Sequence, residues 1–407
     1  MPYDYSPHFR TGLPAAAGRW SGFPRYNFIG GHNDADAVPV DDFVEASQRV
    51  LAREGRNLST YGLSSGPQGY RPLREFLSAS LKIRTGMTQD PDDILIVSGS
   101  LQALDLVNAV LLEPGDTVIV EEATYQGTLQ RFDRLGVNYV AAPLDEDGIR
   151  MDTLAHILNE LQHKEIAPKY IYTIPTVQNP TGSIMPESRR LELLQLARSF
   201  NIPIFEDDCY AELTFDGARP KAIRALDDGG QVIYCGSFSK TIAPALRVGY
   251  LAGEWDLISR ALAVKYDAGS GALEQMMLAE FCITHFDDHV ARMQTVLSEK
   301  CDTIMDALNA EFGTAAEFAV PKGGIFIWVT LPDEVDTSSL AQVAIAEGVA
   351  LNPGAEWSAD PESGRHKLRL CFGSPTKEEI QEGVALLADI CHRETGIPIR
   401  SGNVKRG

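Results

Sequence analysis

From about residue 90 the chain alternates short apolar runs of strand length with amphipathic stretches of helix length, and few architectures accommodate that order. "DDILIVSG" reads as a strand and turn, and "SLQALDLVNAVLL" as a helix. "DTVIVEE", "KYIYTIP" (169–175), "NIPIFEDD" (201–208), "QVIYCGS" and "VGYLAG" read as further strands, with a helix at about 186–200 opened by Pro186 and Glu187. Apolar strands separated by helical patterns predict an α/β fold, a mostly parallel sheet covered on both faces. Ligands of such sheets sit beyond the C-terminal ends of the strands. The unusual residues fall there: Asn179 after "YIYTIP", Asp207 after "IPIF" and Lys240 after "VIYCGS".

A chain of 407 residues is long enough for a large domain and a smaller one. After about 290 come a long helical run, "GGIFIWVTLP", a helix near 337–347, "GVALNPG", "KLRLCFG" and a final helix from about 376, which together read as a second, α+β unit. The first 50 or so residues follow neither pattern. The expected division is therefore an N-terminal segment (1–50) packing with the small domain, a large domain (51–290) and a C-terminal small domain (291–407).

A formal charge of −20 argues against nucleic acid and anionic membranes as partners. No apolar run approaches the roughly 20 residues that span a bilayer, and the opening "MPYDYSPHFRTGLPAAAGRW" has no secretory pattern. Six scattered cysteines with no C-x-x-C pair suit reduced, buried thiols in a cytoplasmic protein. "HFDDH" (285–289) has a two-histidine spacing but no evident third ligand. It reads as a solvated loop or helix start, and no metal is expected.

A lone lysine just past a strand, among serines, is placed for partial desolvation. That lowers an amine's pKa and prepares it to form a Schiff base with a carbonyl compound. Ser237, Ser239 and Arg247 around it suit a phosphate. "SGS" (98–100), opening a helix, offers free backbone N–H groups as a second anion site. A phosphorylated carbonyl compound held by a lysine suggests pyridoxal 5'-phosphate, and gives Asp207 a role beside the pyridine nitrogen.

The motifs "STYGLSSGPQGYRPLRE", "SGSLQAL", "EEATYQG", "PTVQNPTG", "FEDDCY", "SFSKTIAPALRVGY", "PKGGIFIWV" and "LRLCFG" stand in one order. From about Gly30 to the final helix the chain resembles the fold-type-I, class I/II aminotransferases, most of all the branch with the 2-aminoadipate and kynurenine enzymes. The resemblance implies a large cofactor-binding domain and a smaller α+β domain, with Lys240 as Schiff-base lysine and proton shuttle. Asp207 would be the pyridinium partner, and Asn179 and Tyr210 would bond the ring's 3-oxygen. Tyr125 would stack on the ring, and Ser100, Ser237, Ser239 and Arg247 would hold the phosphate. Arg369 would clamp the substrate carboxylate, and Gly31 would line the substrate pocket. Tyr61 would reach the phosphate from the other subunit of a homodimer, with "YDAGSGALEQ" (266–275) as another part of the shared wall.

Three departures from the family pattern stand out. Cys209 replaces a proline, and Leu101 replaces a common glutamine, leaving backbone N–H groups to bind the phosphate. "FIGGHNDADAVP" (28–39) lacks a proline usual after the double glycine. His32, Asn33 and Asp34 there are either a polar turn or neighbours of the substrate side chain that alter specificity or reaction type. The leading reading is transamination between an amino acid with a long or large side chain and a 2-oxo acid such as 2-oxoglutarate. A pyridoxal lyase, replacement or cyclising enzyme is the alternative, and a non-catalytic amino-acid-sensing domain ranks last.

Overall fold

A computed structural model describes residues 2–399. Seven strands form its central sheet, in the spatial order Ile94–Val97, Gly249–Ala252, Val232–Ser237, Ile204–Asp207, Ile171–Thr173, Thr117–Glu121 and Asn138–Ala142. Gly249–Ala252 runs antiparallel to both neighbours. The other pairings are parallel.

The strands are apolar on both faces because both are covered. Successive side chains point to opposite sides, so Leu95, Val97, Val118 and Val120 join the helices Ser100–Leu111 and Gln126–Leu135 in one core. Ile119, Ile171, Ile204 and Val232 face the helices Met151–His163 and Glu187–Ser199 on the other. Ile94 and Ile96 pack towards the long helix Ala272–Phe312.

That helix begins well before the helical run expected after about 290, so the expected 290/291 division falls inside it. Its first half serves the core beside Ile94 and Ile96, whereas Cys301, Ile304 and Leu308 serve the C-terminal core. "HFDDH" is therefore neither a loop nor a helix start. It lies mid-helix, with His289 buried and Asp287 and Asp288 exposed. The run of apolar residues at helical spacing through Phe281, Phe286 and Val290 continues across the polar pentapeptide.

Past the long helix, Phe326–Thr330 and Asn352–Pro353 flank Lys367–Cys371 in an antiparallel sheet. The helix Lys377–Thr395 covers it, opened by a Thr376–Glu379 capping box that contributes about 1 kcal/mol. Tyr26–Asn27 adds a parallel pairing to Val349–Ala350, and Phe28 links Ala350 to Cys371 through main-chain bonds. The N-terminal segment thus enters the C-terminal core as an edge. The helix Val40–Glu54 packs instead on the long helix. Among the described residues no helix is long and apolar enough to cross a membrane.

Candidate active site

The parallel strands deliver their terminal residues to one edge of the sheet, as their common direction requires. Asp207 ends one strand, Lys240 lies three residues past the next, and Glu121 ends a third. Ser100 opens its helix directly after the Ile94–Val97 turn, where Gly99 takes φ 85°. These edges and the C-terminal sheet enclose a cavity of about 220 Å³. Ser100, Leu101, Tyr125, Asn179, Asp207, Tyr210, Ser237, Ser239, Lys240 and Arg247 all line it, as do Gly31 and Arg369.

Lys240 is half-buried and donates from Nζ to the carbonyl of Gly31 at 2.9 Å. Burial, with Arg369 and Arg247 adding to it, lowers its pKa from the usual 10.5. No carboxylate pairs with it among the described residues; the Cys371 and Cys209 thiols are what act against the shift. A Cβ on Gly31 would stand 2.1 Å from Nζ, so the backbone approaches the amine as only glycine allows.

Asp207 accepts a 2.7 Å bond from the Tyr172 hydroxyl on Oδ2, while its buried Oδ1 has no partner among the described residues. Burial raises its pKa, against the opposing bonds from Cys209 and Tyr172. An unmatched buried acceptor costs about 1–3 kcal/mol, so the site favours a ligand that brings an N–H to that oxygen. Asn179 donates to the Tyr210 hydroxyl at 3.3 Å and accepts from Arg369 at 3.1 Å.

Arg369 is 2% exposed. Its donors meet Asn179, the Gly30 carbonyl (2.6 Å) and Asn352 (2.9 Å), and its Nε has no partner. Trp357 lies 3.9 Å from the guanidinium carbon. Cation–π stacking returns about 2 kcal/mol, less than the several kcal/mol a buried charge costs. Neutral acceptors do not close that gap, so the site suits a carboxylate. At the other end Arg247 reaches Ser239 Oγ at 3.5 Å and the Ser98 carbonyl at 3.1 Å. A Cβ on Gly99 would meet its guanidinium at 2.3 Å. Hydroxyls, a helix N-terminus and a guanidinium grouped here fit a phosphate. The donor set therefore fits pyridoxal phosphate: an amine, an acceptor for the ring nitrogen and an anion cradle.

Tyr61 is 88% exposed and lies outside this cavity, on a groove it shares with Trp255. "YDAGSGALEQ" lines the same groove through Asp267 and Gln275. In the double-glycine segment Gly30 and Gly31 line the cavity, and the three polar residues that follow have partners of their own. His32 packs edge-on to Phe23, Asn33 bonds the main chain of the lysine turn, and Asp34 pairs with Lys300 at 2.6 Å. Asn33 and Asp34 use their polar groups to hold the backbone, as turn residues commonly do.

Sequence reasoning missed Trp357 and Glu121. Trp357 is one of only four tryptophans, in "GAEW" just past "LNPG". Glu121 accepts from Thr173, Ile174 and Gln178 and so anchors the loop carrying Asn179. Asp207, Cys209 and Cys235 bring ligand-type atoms within 4.8 Å of one another. Asp207 and Cys209 line the same cavity, and a bond with Cys235 and burial push the Cys209 thiol well up, away from the thiolate a metal takes.

Residues 28–387 match the family described as aminotransferase class I and II. The aromatic-amino-acid aminotransferase 1 of Thermococcus litoralis is 34% identical over 371 residues, 90% of this chain and 88% of its own. The 2-aminoadipate transaminase of Thermus thermophilus is 34% identical over 366 residues, 89% and 88% of the two chains. The crystal structure of the Pyrococcus horikoshii kynurenine aminotransferase, in complex with PMP, superposes with a TM-score of 0.85 at 34% identity, covering 92% of each chain.

Proposed function

The chain belongs to the class I and II aminotransferases, and on that premise we propose that it moves the α-amino group of an amino acid with a long or large side chain to 2-oxoglutarate, with Lys240 at the centre of the chemistry. It is a pyridoxal-phosphate-dependent transaminase of fold type I, acting on an amino acid and a 2-oxo acid. One observation carries the residue assignment. An amine with a lowered pKa, and, among the described residues, a carboxylate oxygen without a partner and a buried guanidinium without a counter-ion, face a single cavity.

When bound, the cofactor supplies an aldehyde that links to amines and a ring that takes up an electron pair. Arg369 grips the substrate carboxylate in a two-pronged contact and fixes the Cα–H beside Lys240. Lys240 Nζ would accept the Cα proton of the bound amino acid and give it back on the cofactor side. Its lowered pKa leaves the amine ready to accept. Asp207 Oδ1 would accept the N–H of the cofactor's ring nitrogen and hold its proton. Asn179 and Tyr210 would bond the ring oxygen, Tyr125 would cover the ring face, and Ser100, Leu101, Ser237, Ser239 and Arg247 would hold the phosphate. Gly31 keeps the substrate side of the amine clear.

The working unit is a homodimer. The exposure of Tyr61, outside its own chain's cavity, supports a reading in which it completes the partner's phosphate site. The six free, buried cysteines suit a cytoplasmic location. A half-reaction screen tests the assignment: the holoenzyme is mixed with single amino acids and followed by absorbance and mass spectrometry. Conversion to the amine form of the cofactor by large-side-chain donors, reversed by 2-oxoglutarate, supports it. Release of ammonia or an olefinic product without that form overturns it in favour of a lyase.

A further inference from the structure

Three consecutive carbonyls follow one another in the lysine turn, and each is held by a side chain from a distant part of the sequence. Asn33 Nδ2 donates to the Lys240 carbonyl at 3.2 Å and to the Ile242 carbonyl at 3.1 Å. His289 Nε2 lies 2.8 Å from the Thr241 carbonyl between them. A carbonyl only accepts, so Nε2 carries the hydrogen. Burial pushes the histidine's pKa down and keeps the ring neutral at neutral pH.

Asn33 comes from a segment that already touches both reacting groups. The Gly30 carbonyl accepts from Arg369 and the Gly31 carbonyl from Lys240 Nζ. Asp34, next along, is tied to the buried Lys300, whose Nζ also reaches the Gly373 carbonyl. Residues 30–34 are thus anchored to the long helix at one end and to the substrate-carboxylate arginine at the other. Asn33 spans the lysine turn between them.

We propose that Asn33 and His289 are positioning residues for Lys240. They clamp the carbonyls of residues 240–242 so that Nζ is aimed into the cavity, and they tie that aim to the segment that also holds Arg369. The inference rests on Lys240 being the cofactor-linked lysine. Neither side chain lines the cavity, so both act through the turn.

Asn33→Asp tests this with an isosteric change that turns the shared donor into an acceptor facing two carbonyls. His289→Leu removes the other donor, and His289→Gln restores one. Three readouts are compared with wild type: borohydride trapping of the cofactor on Lys240, the pH midpoint of the bound cofactor's visible absorbance, and the single-turnover rate with a saturating amino acid. The expected result is trapping on Lys240 in every variant. Asn33→Asp and His289→Leu should shift the midpoint by roughly half a unit or more and slow the turnover about tenfold or more, with His289→Gln recovering most of the loss. An unshifted midpoint in both Asn33→Asp and His289→Leu overturns the inference, whether or not their thermal stability falls, since a merely structural role moves stability alone. Absence of trapping on wild-type Lys240 would instead remove the premise.

Discussion

Tyr172 donates to one carboxylate oxygen of Asp207 and leaves the other buried without a partner. The bond works against the burial that raises the Asp207 pKa, so the tyrosine favours the ionised acid that a protonated ring nitrogen needs. Tyr172→Phe should slow the amino-acid half-reaction roughly tenfold, the value of one charge-assisted hydrogen bond. Asp207→Asn removes the charge itself and should cost about a thousandfold or more. Stopped-flow absorbance on both variants checks the order, and equal losses would deny the tyrosine its supporting part.

Arg369 lies over the Trp357 ring, with its fork aimed by Asn179, Gly30 and Asn352. A lysine there keeps the charge but loses the planar fork and the stack. Arg369→Lys should lower kcat/KM about a hundredfold, chiefly through KM. Trp357→Leu should move KM in the same direction by a smaller factor. Steady-state kinetics with one donor measure both.

Glu121 provides a pH signature independent of turnover. Burial raises its pKa to about 7 from the usual 4.5, against the opposing bonds from Gln178, Thr173 and Ile174. The folded chain therefore keeps this proton over a range where the unfolded chain releases it. Stability from this group is full below pH 4.5 and is lost as pH rises to about 7, by about 3 kcal/mol in all. Glu121→Gln lacks that loss. The unfolding free energy of the variant relative to wild type should climb between those pH values and level off above, as denaturant titrations would record. A constant difference would contradict it.

The cross-subunit role of Tyr61 has a mixing test. Tyr61→Phe should loosen the cofactor, and Lys240→Ala should abolish turnover. Dissociated and reassembled together, the two variants should regain activity, because one of the two sites then combines an intact Lys240 with the partner chain's intact tyrosine. No recovery, or a monomer on gel filtration, would place Tyr61 in some other task.

Much of the site was legible because its residues follow apolar strands. Asn179, Asp207 and Lys240 each stand just past a run whose periodicity announces its end, and parallel strands must end on one edge. Contacts formed across the chain left no such mark. Trp357 meets Arg369 only where the Gly354–Trp357 turn packs over the neighbouring strand, and Asn33 meets the turn after Lys240 only once the N-terminal segment has reached the large domain. The start of the long helix was missed for a related reason. The polar "HFDDH" breaks an apolar run in sequence, whereas in space two of its residues face solvent and His289 turns inward on the same helix. Local pattern reports a residue's own element, and these side chains are used by elements far away.

The account rests on Lys240 more than on any other group. Borohydride reduction of the holoenzyme followed by peptide mass mapping tests it directly. The cofactor should be fixed to the peptide containing Lys240. Lys240→Ala should carry no adduct and should fail to exchange the Cα proton of any amino acid. An adduct on a different lysine, or proton exchange at the wild-type rate in Lys240→Ala, would contradict the account.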